Sequence, residues 1–129
     1  MAKQRDKMTR ARTILMLDQP FFGSLVLRLK MVEDPHVSTA CTDGRQVRYN
    51  PHWFNEVLTD NQRVGVLAHE VLHLSNGHLW RVGDRDFRKF NIAGDYAINP
   101  IVIEAGMKLP EGLLNDPAYK NMSAEEIYS

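Results

Sequence analysis

The stretch TDNQRVGVLAHEVLHLSNG, residues 59–77, constrains this chain more than any other. Val64, Leu67, Val71 and Leu74 recur at the spacing of one helix face. Gln62, Val66, His69, His73 and Asn76 form a second stripe on another face. Thr59 or Asp60 can cap the start, and Asn76-Gly77 can stop the end. Gly65 is a poor helix former, but a small residue there allows close packing.

The second stripe carries chemistry. On a helix, residues four apart lie about 40° from each other, one turn up. The imidazoles of His69 and His73 can therefore converge on one small ion. Glu70 lies about 100° away from His69, which suits it poorly as a ligand but lets it reach a water held by the metal. Zinc takes histidine nitrogens readily, and a catalytic site keeps three protein ligands and one open position. The metal lowers the water's pKa toward ~7, and a carboxylate takes its proton. Three fixed positions also arise by chance, and helix histidines are often structural. The opposed apolar stripe, the helix length and a preceding hairpin favour the metal.

Two residues compete for third ligand. His78 follows His73 by five positions and Gly77 by one. If the helix continued, His78 would line up with Leu67, Val71 and Leu74 and point away from the metal; a break at Gly77 could swing it back. The H-E-x-x-H-x-x-G-x-x-H pattern of proteases with a third histidine has different offsets. Asp95 lies on the next predicted helix, and other zinc proteases take a glutamate from a second helix about twenty residues on. In IAGDYAIN its neighbours are small and apolar, so a carboxylate there needs a partner. Asp95 and Asn99 share a face, four apart. Asp95 is favoured, with His78 as the alternative.

Around this centre, residues 3–17 read as a helix with Met8, Ile14, Leu15 and Leu17 as its apolar positions, ended by Pro20. In FFGSLVLRLKMVED, Leu25, Leu27, Leu29 and Met31 alternate with Val26, Arg28, Lys30 and Val32, which predicts a strand stopped by Pro35. Asp43-Gly44 predicts a hairpin pairing Thr39–Thr42 with Gln46–Tyr49. Asp84 or Asp86 can cap a helix with Phe87, Phe90, Ala97 and Ile98 as apolar positions. Asn99-Pro100 should end that helix or start a short new one, and Gly106 should end that piece. Ser123 and Glu126 fit a capping box close to the last residue, so a C-terminal region beyond it is expected.

The 129 residues suit a single domain, 1–129, with one modest core. Lys plus Arg balances Asp plus Glu, which argues against a dedicated nucleic-acid binder. Residues 1–12 nevertheless hold Lys3, Arg5, Lys7, Arg10 and Arg12 against Asp6 alone. That is a solvated helix face first, and a docking arm for an acidic partner second. Cys41 is the single cysteine, so no intramolecular disulfide can form. No apolar run reaches the ~18 residues of a membrane span, and no secretory signal opens the chain. A cytoplasmic location is expected.

QPFFGSLVLRLKMVED, TDGRQVRYNP, LAHEVLHLSNGH, NIAGDYAIN and SAEEIY together resemble a known family. It is the bacterial and phage putative metallopeptidase domain that often precedes a von Willebrand factor A-like domain. The resemblance runs from about residue 10 to the end. It implies an α+β, minimal zincin-like fold: a small mixed sheet, a helix carrying His69, Glu70 and His73, and a following helix carrying Asp95. Pro100 departs from that helix locally, and no von Willebrand factor A-like domain is present in this chain. In a zincin the cleft-edge strand binds substrate backbone, and the predicted hairpin is the candidate edge. Tyr49, His52 and Tyr96 are near enough in sequence to stabilise an oxyanion, although packing or surface roles weigh more for each. Cys41 reads first as a buried strand cysteine, with an inhibitory zinc ligand as the lesser reading.

The expectation is a zinc-dependent metallopeptidase acting on a protein or peptide, with His69, His73 and Asp95 on zinc and Glu70 as general base. The alternative is a latent or non-catalytic binding module on the same fold. Docking of nucleic acid by the basic N-terminal helix ranks third.

Overall fold

The computed structural model describes residues 2–43, 45–75, 81–110, 116–119 and 121–129. Helix α1 spans Ala2–Asp18 and α2 spans Pro20–Val26. Strands β1 (Lys30–Glu33), β2 (Ala40–Thr42) and β3 (Gln46–Tyr49) follow. A π-helical turn, Trp53–Val57, leads into α3, Asp60–Ser75. Helix α4 is Phe87–Glu104, a 3-10 turn covers Pro117–Tyr119, and α5 is Ala124–Tyr128. Among the described residues no helix is long and apolar enough to cross a membrane.

Helix α1 buries Met8, Ala11 and Leu15, one stripe at i, i+3 and i+7. Leu17, expected inside, is 75% exposed. Lys7 Nζ donates to the Asn55 carbonyl at 2.6 Å, and Arg10 sits 3.7 Å from Asp60. These two cations of the basic segment thus link α1 to the π-turn and to the first residue of α3.

The long strand predicted after Pro20 is mostly wrong. Pro20 opens a helix at its first turn, where the missing N–H costs nothing. Phe22 and Val26, four apart, are buried, whereas Leu27 is 58% exposed against the alternation. Gly23 makes the tight return possible: a β-carbon there would lie 2.5 Å from the Met16 Cα. Only Lys30–Glu33 becomes strand.

The sheet order is β1-β3-β2, with β1 parallel and β2 antiparallel to β3. The expected hairpin therefore forms, and the sheet is mixed. Asp43 Oδ1 accepts from the N–H groups of Arg45 and Gln46, at 2.9 and 3.0 Å, and organises the turn. Gly44 lies outside the described residues. Val47 and Tyr49 face the core from β3.

Helix α3 starts with a reciprocal cap. Thr59 Oγ1 accepts from Gln62 N–H at 3.2 Å, and Gln62 Oε1 accepts from Thr59 N–H at 2.9 Å. Val64, Leu67, Ala68, Val71 and Leu72 are buried on it. Arg63, also buried, donates to the Phe54 and Asn55 carbonyls and to Asp60, tying the π-turn to the helix start. Gly65 allows a close crossing: a β-carbon there would meet the Lys108 carbonyl oxygen at 1.6 Å.

Helix α4 is capped by Asp86, whose carboxylate accepts from Lys89 N–H at 2.8 Å. It does not stop at Asn99 but runs through Pro100 to Glu104. An internal proline costs about 3 kcal/mol. Ile98 and Val102 are both fully buried, and each contributes about 1.5–3 kcal/mol, enough to hold the helix together. Gly106, at φ +87, then ends it as expected. Ser123 forms the anticipated capping box at α5. Tyr128 and the Arg81–Glu125 ion pair fasten α5 to the start of α4, with the Tyr128 hydroxyl accepting from Asp86 N–H at 3.0 Å.

Candidate metal centre

Val66, His69 and His73 of the second stripe line a cavity shared with α4 and the β2 edge. His69 and His73 stand one turn apart, with their Nε2 atoms 3.1 Å from each other. Asp95 projects from the middle of α4 between them. Its Oδ1 lies 3.1 Å from His69 Nε2 and 2.8 Å from His73 Nε2. These three residues form the metal-capable group among the described residues. Asp95 is thus brought to the two histidines as expected. His78 lies outside the described residues.

The donor set fits zinc. Two imidazole nitrogens and one carboxylate oxygen, bonded at about 2.0–2.2 Å in a tetrahedron, stand roughly 3.4 Å apart. The observed triangle is a few tenths of an ångström tighter, a gap that small side-chain rotations close.

Asn99 supplies the support that sequence reasoning left unassigned. Fully buried, it places its Oδ1 2.7 Å from His69 Nδ1. In the neutral ring, Nδ1–H donates to that oxygen and Nε2 keeps its lone pair toward His73 and Asp95. Its position four residues after Asp95 was the available signal; its reach to α3 was not visible.

The electrostatics agree with a cation at this point. Burial alone pulls the His69 imidazole down, but the Asp95 hydrogen bond and the Glu70 and Asp95 charges overcome it and raise its pKa. Burial pushes Asp95 up, yet its bonds to both histidines hold the carboxyl well below the usual carboxylate range. Glu70, 5% exposed, is pushed up by burial more than the imidazoles pull it down. The Asp95 contact thus favours positive charge at His69, whereas burial accounts for the Glu70 shift.

A cavity of about 300 Å³ opens over the cluster, with His69, Glu70, His73 and Asp95 in its wall. Thr39 and β2 form one side, Trp53 of the π-turn another, and Phe87, Phe90 and Asn91 of α4 a third. Cys41 is exposed in this wall rather than buried, and it is not among the metal-capable group. Tyr49, His52 and Tyr96 are not among the lining residues. Tyr49 is buried against Phe54, His52 is exposed, and Tyr96 packs on Tyr119.

The ladder register fixes how β2 meets the cavity. Asn50 N–H donates to the Thr39 carbonyl at 2.8 Å, and Asp43 N–H to the Gln46 carbonyl at 3.3 Å. The pair Ala40↔Tyr49 is then a non-hydrogen-bonded pair. The Ala40 N–H and C=O consequently point away from β3, at the sheet edge beside the cavity.

Neither a search of curated proteins nor one of solved structures returned a match. One family, described as "Putative metallopeptidase domain", matches residues 3–129. With that match running the length of the sequence and two histidines of one helix meeting an aspartate of the next, the chain belongs to this metallopeptidase-domain family.

Proposed function

We propose that the protein is a zinc-dependent peptidase in which His69, His73 and Asp95 hold the metal and Glu70 is the general base. The observation that carries this reading is the convergence of His69 Nε2, His73 Nε2 and Asp95 Oδ1, with Glu70 in the same cavity wall. Zinc held there would supply Lewis acidity toward a carbonyl oxygen and toward water. The chain's own residues do the rest. An extended peptide adds to the β2 edge, where Ala40 offers an outward N–H and C=O. Glu70 takes a proton from the attacking water and returns it to the leaving amine. Asn99 keeps the His69 ring in one orientation throughout. Burial of Glu70 limits competing solvent and tunes its basicity.

The test is zinc content per chain by elemental analysis, paired with hydrolysis of a casein substrate. About one zinc is expected in the wild type and in Glu70→Gln, with loss in Asp95→Ala. Hydrolysis should be confined to the wild type. A wild type that takes up no zinc on reconstitution defeats the reading and leaves the zincin-fold binding module. Zinc retained in Asp95→Ala but lost in His78→Ala moves the third ligand to residue 78.

A further inference from the structure

We infer that the cavity beside the metal centre selects a peptide with a large apolar side chain, aromatic or leucine-sized, read by a wall of Phe87, Phe90 and Trp53. The inference rests on the peptidase reading for the chemistry at Glu70 and deepens it by naming the substrate class.

Three observations carry it. The first is the ridge along α4. Phe87, Asn91, Asp95 and Asn99 are spaced four apart, so one helix face runs from the His69 support, through the ligand, to the cavity mouth. Phe87 sits at its outer end and is 62% exposed, an aromatic surface that the fold leaves uncovered beside the site. Phe90, buried, continues the same wall inward, and Trp53 lines the cavity from the π-turn.

The second is charge. Among the described residues no Lys or Arg lines the cavity, and its two carboxylates are Glu70 and Asp95. A zinc ion held by Asp95 would balance the two carboxylates, so the aromatic wall beyond them offers an acidic side chain no cation to replace its hydration. A lysine would shed hydration against aromatic walls and gain only the modest attraction of their faces. An apolar side chain loses nothing and covers exposed ring.

The third is reach. Phe90 and Phe87 precede Asp95 by five and eight residues, about 7.5 and 12 Å along the helix axis. An extended peptide advances about 3.3 Å per residue. The stretch from Asp95 to these rings thus equals about two to four residues of extended chain. The volume suits one large side chain with its flanking backbone, at the low end of ligand pockets.

The experiment uses zinc-loaded Glu70→Gln, so that binding is read without cleavage. Short, blocked, fluorescein-labelled peptides share one alanine-serine host and differ in a single guest: Phe, Ala, Asp or Lys. Anisotropy should give the Phe guest an advantage of about 10-fold over Ala, with Asp and Lys no tighter than Ala. Adding Phe87→Ala should cut that advantage about 3- to 10-fold, and Phe87→Leu should restore most of it. Equal Kd values, a Lys guest bound tightest, an advantage that survives Phe87→Ala, or no peptide binding overturns the inference. Wild-type cleavage of the same set separates the two ideas. Cleavage without guest preference sinks the subsite and keeps the peptidase. Guest-selective binding without cleavage keeps the subsite and sinks the peptidase.

Discussion

Replacing Gly65 by alanine offers a sign test of the packing that supports the site. On an exposed helix the change stabilises by about 1 kcal/mol through backbone entropy. Here the new β-carbon would lie 1.6 Å from the Lys108 carbonyl oxygen and 2.8 Å from its carbon. An ordinary contact needs about 3.4 Å or more. The chain around Lys108 must retreat by nearly 2 Å, and the obstacle is backbone, which cannot rotate aside as a side-chain tip does. Overpacking of this kind costs about 3 kcal/mol or more at the severe end. Subtracting the propensity gain leaves a net loss of about 2 kcal/mol. For a chain of this size that lowers Tm by roughly 6–10 °C. Urea unfolding with paired thermal melts reads it directly. A Gly65→Ala protein more stable than wild type, by about the 1 kcal/mol of the propensity gain, would refute the crossing of residues 107–109 over α3.

Two further outcomes are expected. Asn99→Ala should weaken zinc binding about 10- to 100-fold in a chelator competition, with all three ligands intact, because the His69 ring loses its anchor; unchanged affinity would remove Asn99 from the centre. Glu125 is expected to make the docking of α5 acid-sensitive: the Arg81 hydrogen bond holds its carboxyl below its ordinary value of 4.5. A depressed folded pKa means the contribution is complete above the unfolded value and is lost as pH falls through the lower folded one. The protection factors of amides 124–128, with the intrinsic pH dependence of exchange divided out, should therefore fall below about pH 4, by an amount worth under ~1 kcal/mol for so exposed a pair. Arg81→Gln should show that lower protection already at neutral pH.

The parts of the fold that were legible share a physical basis. The α3 register, the caps at Thr59 and Asp86, each one of two candidates, the β2–β3 hairpin and the Ser123 capping box are all settled within a few residues. The misreadings have one too. Leu25, Leu27 and Leu29 satisfy a period of two locally, but Phe22 and Val26 meet the core only as a helix, and a proline at its first turn favours that outcome. Asn99-Pro100 carries a stop signal that the burial of Ile98 and Val102 outweighs. Cys41 was expected inside because strand cysteines usually are, yet β2 is an edge beside a cavity.

From the sequence alone it follows that His69 and His73 share one side of a helix with Glu70 beside them, because 3.6 residues per turn permits nothing else. The small apolar surroundings of Asp95 also mark it as a carboxylate in need of a partner. Tertiary structure alone decided that this partner is the histidine pair, that Asn99 orients His69, and that Trp53, Phe87 and Phe90 wall the cavity above them. Helix period is a local property of the backbone. Convergence of α3, α4 and β2 depends on how their faces pack, down to the single glycine that lets the chain cross at Lys108.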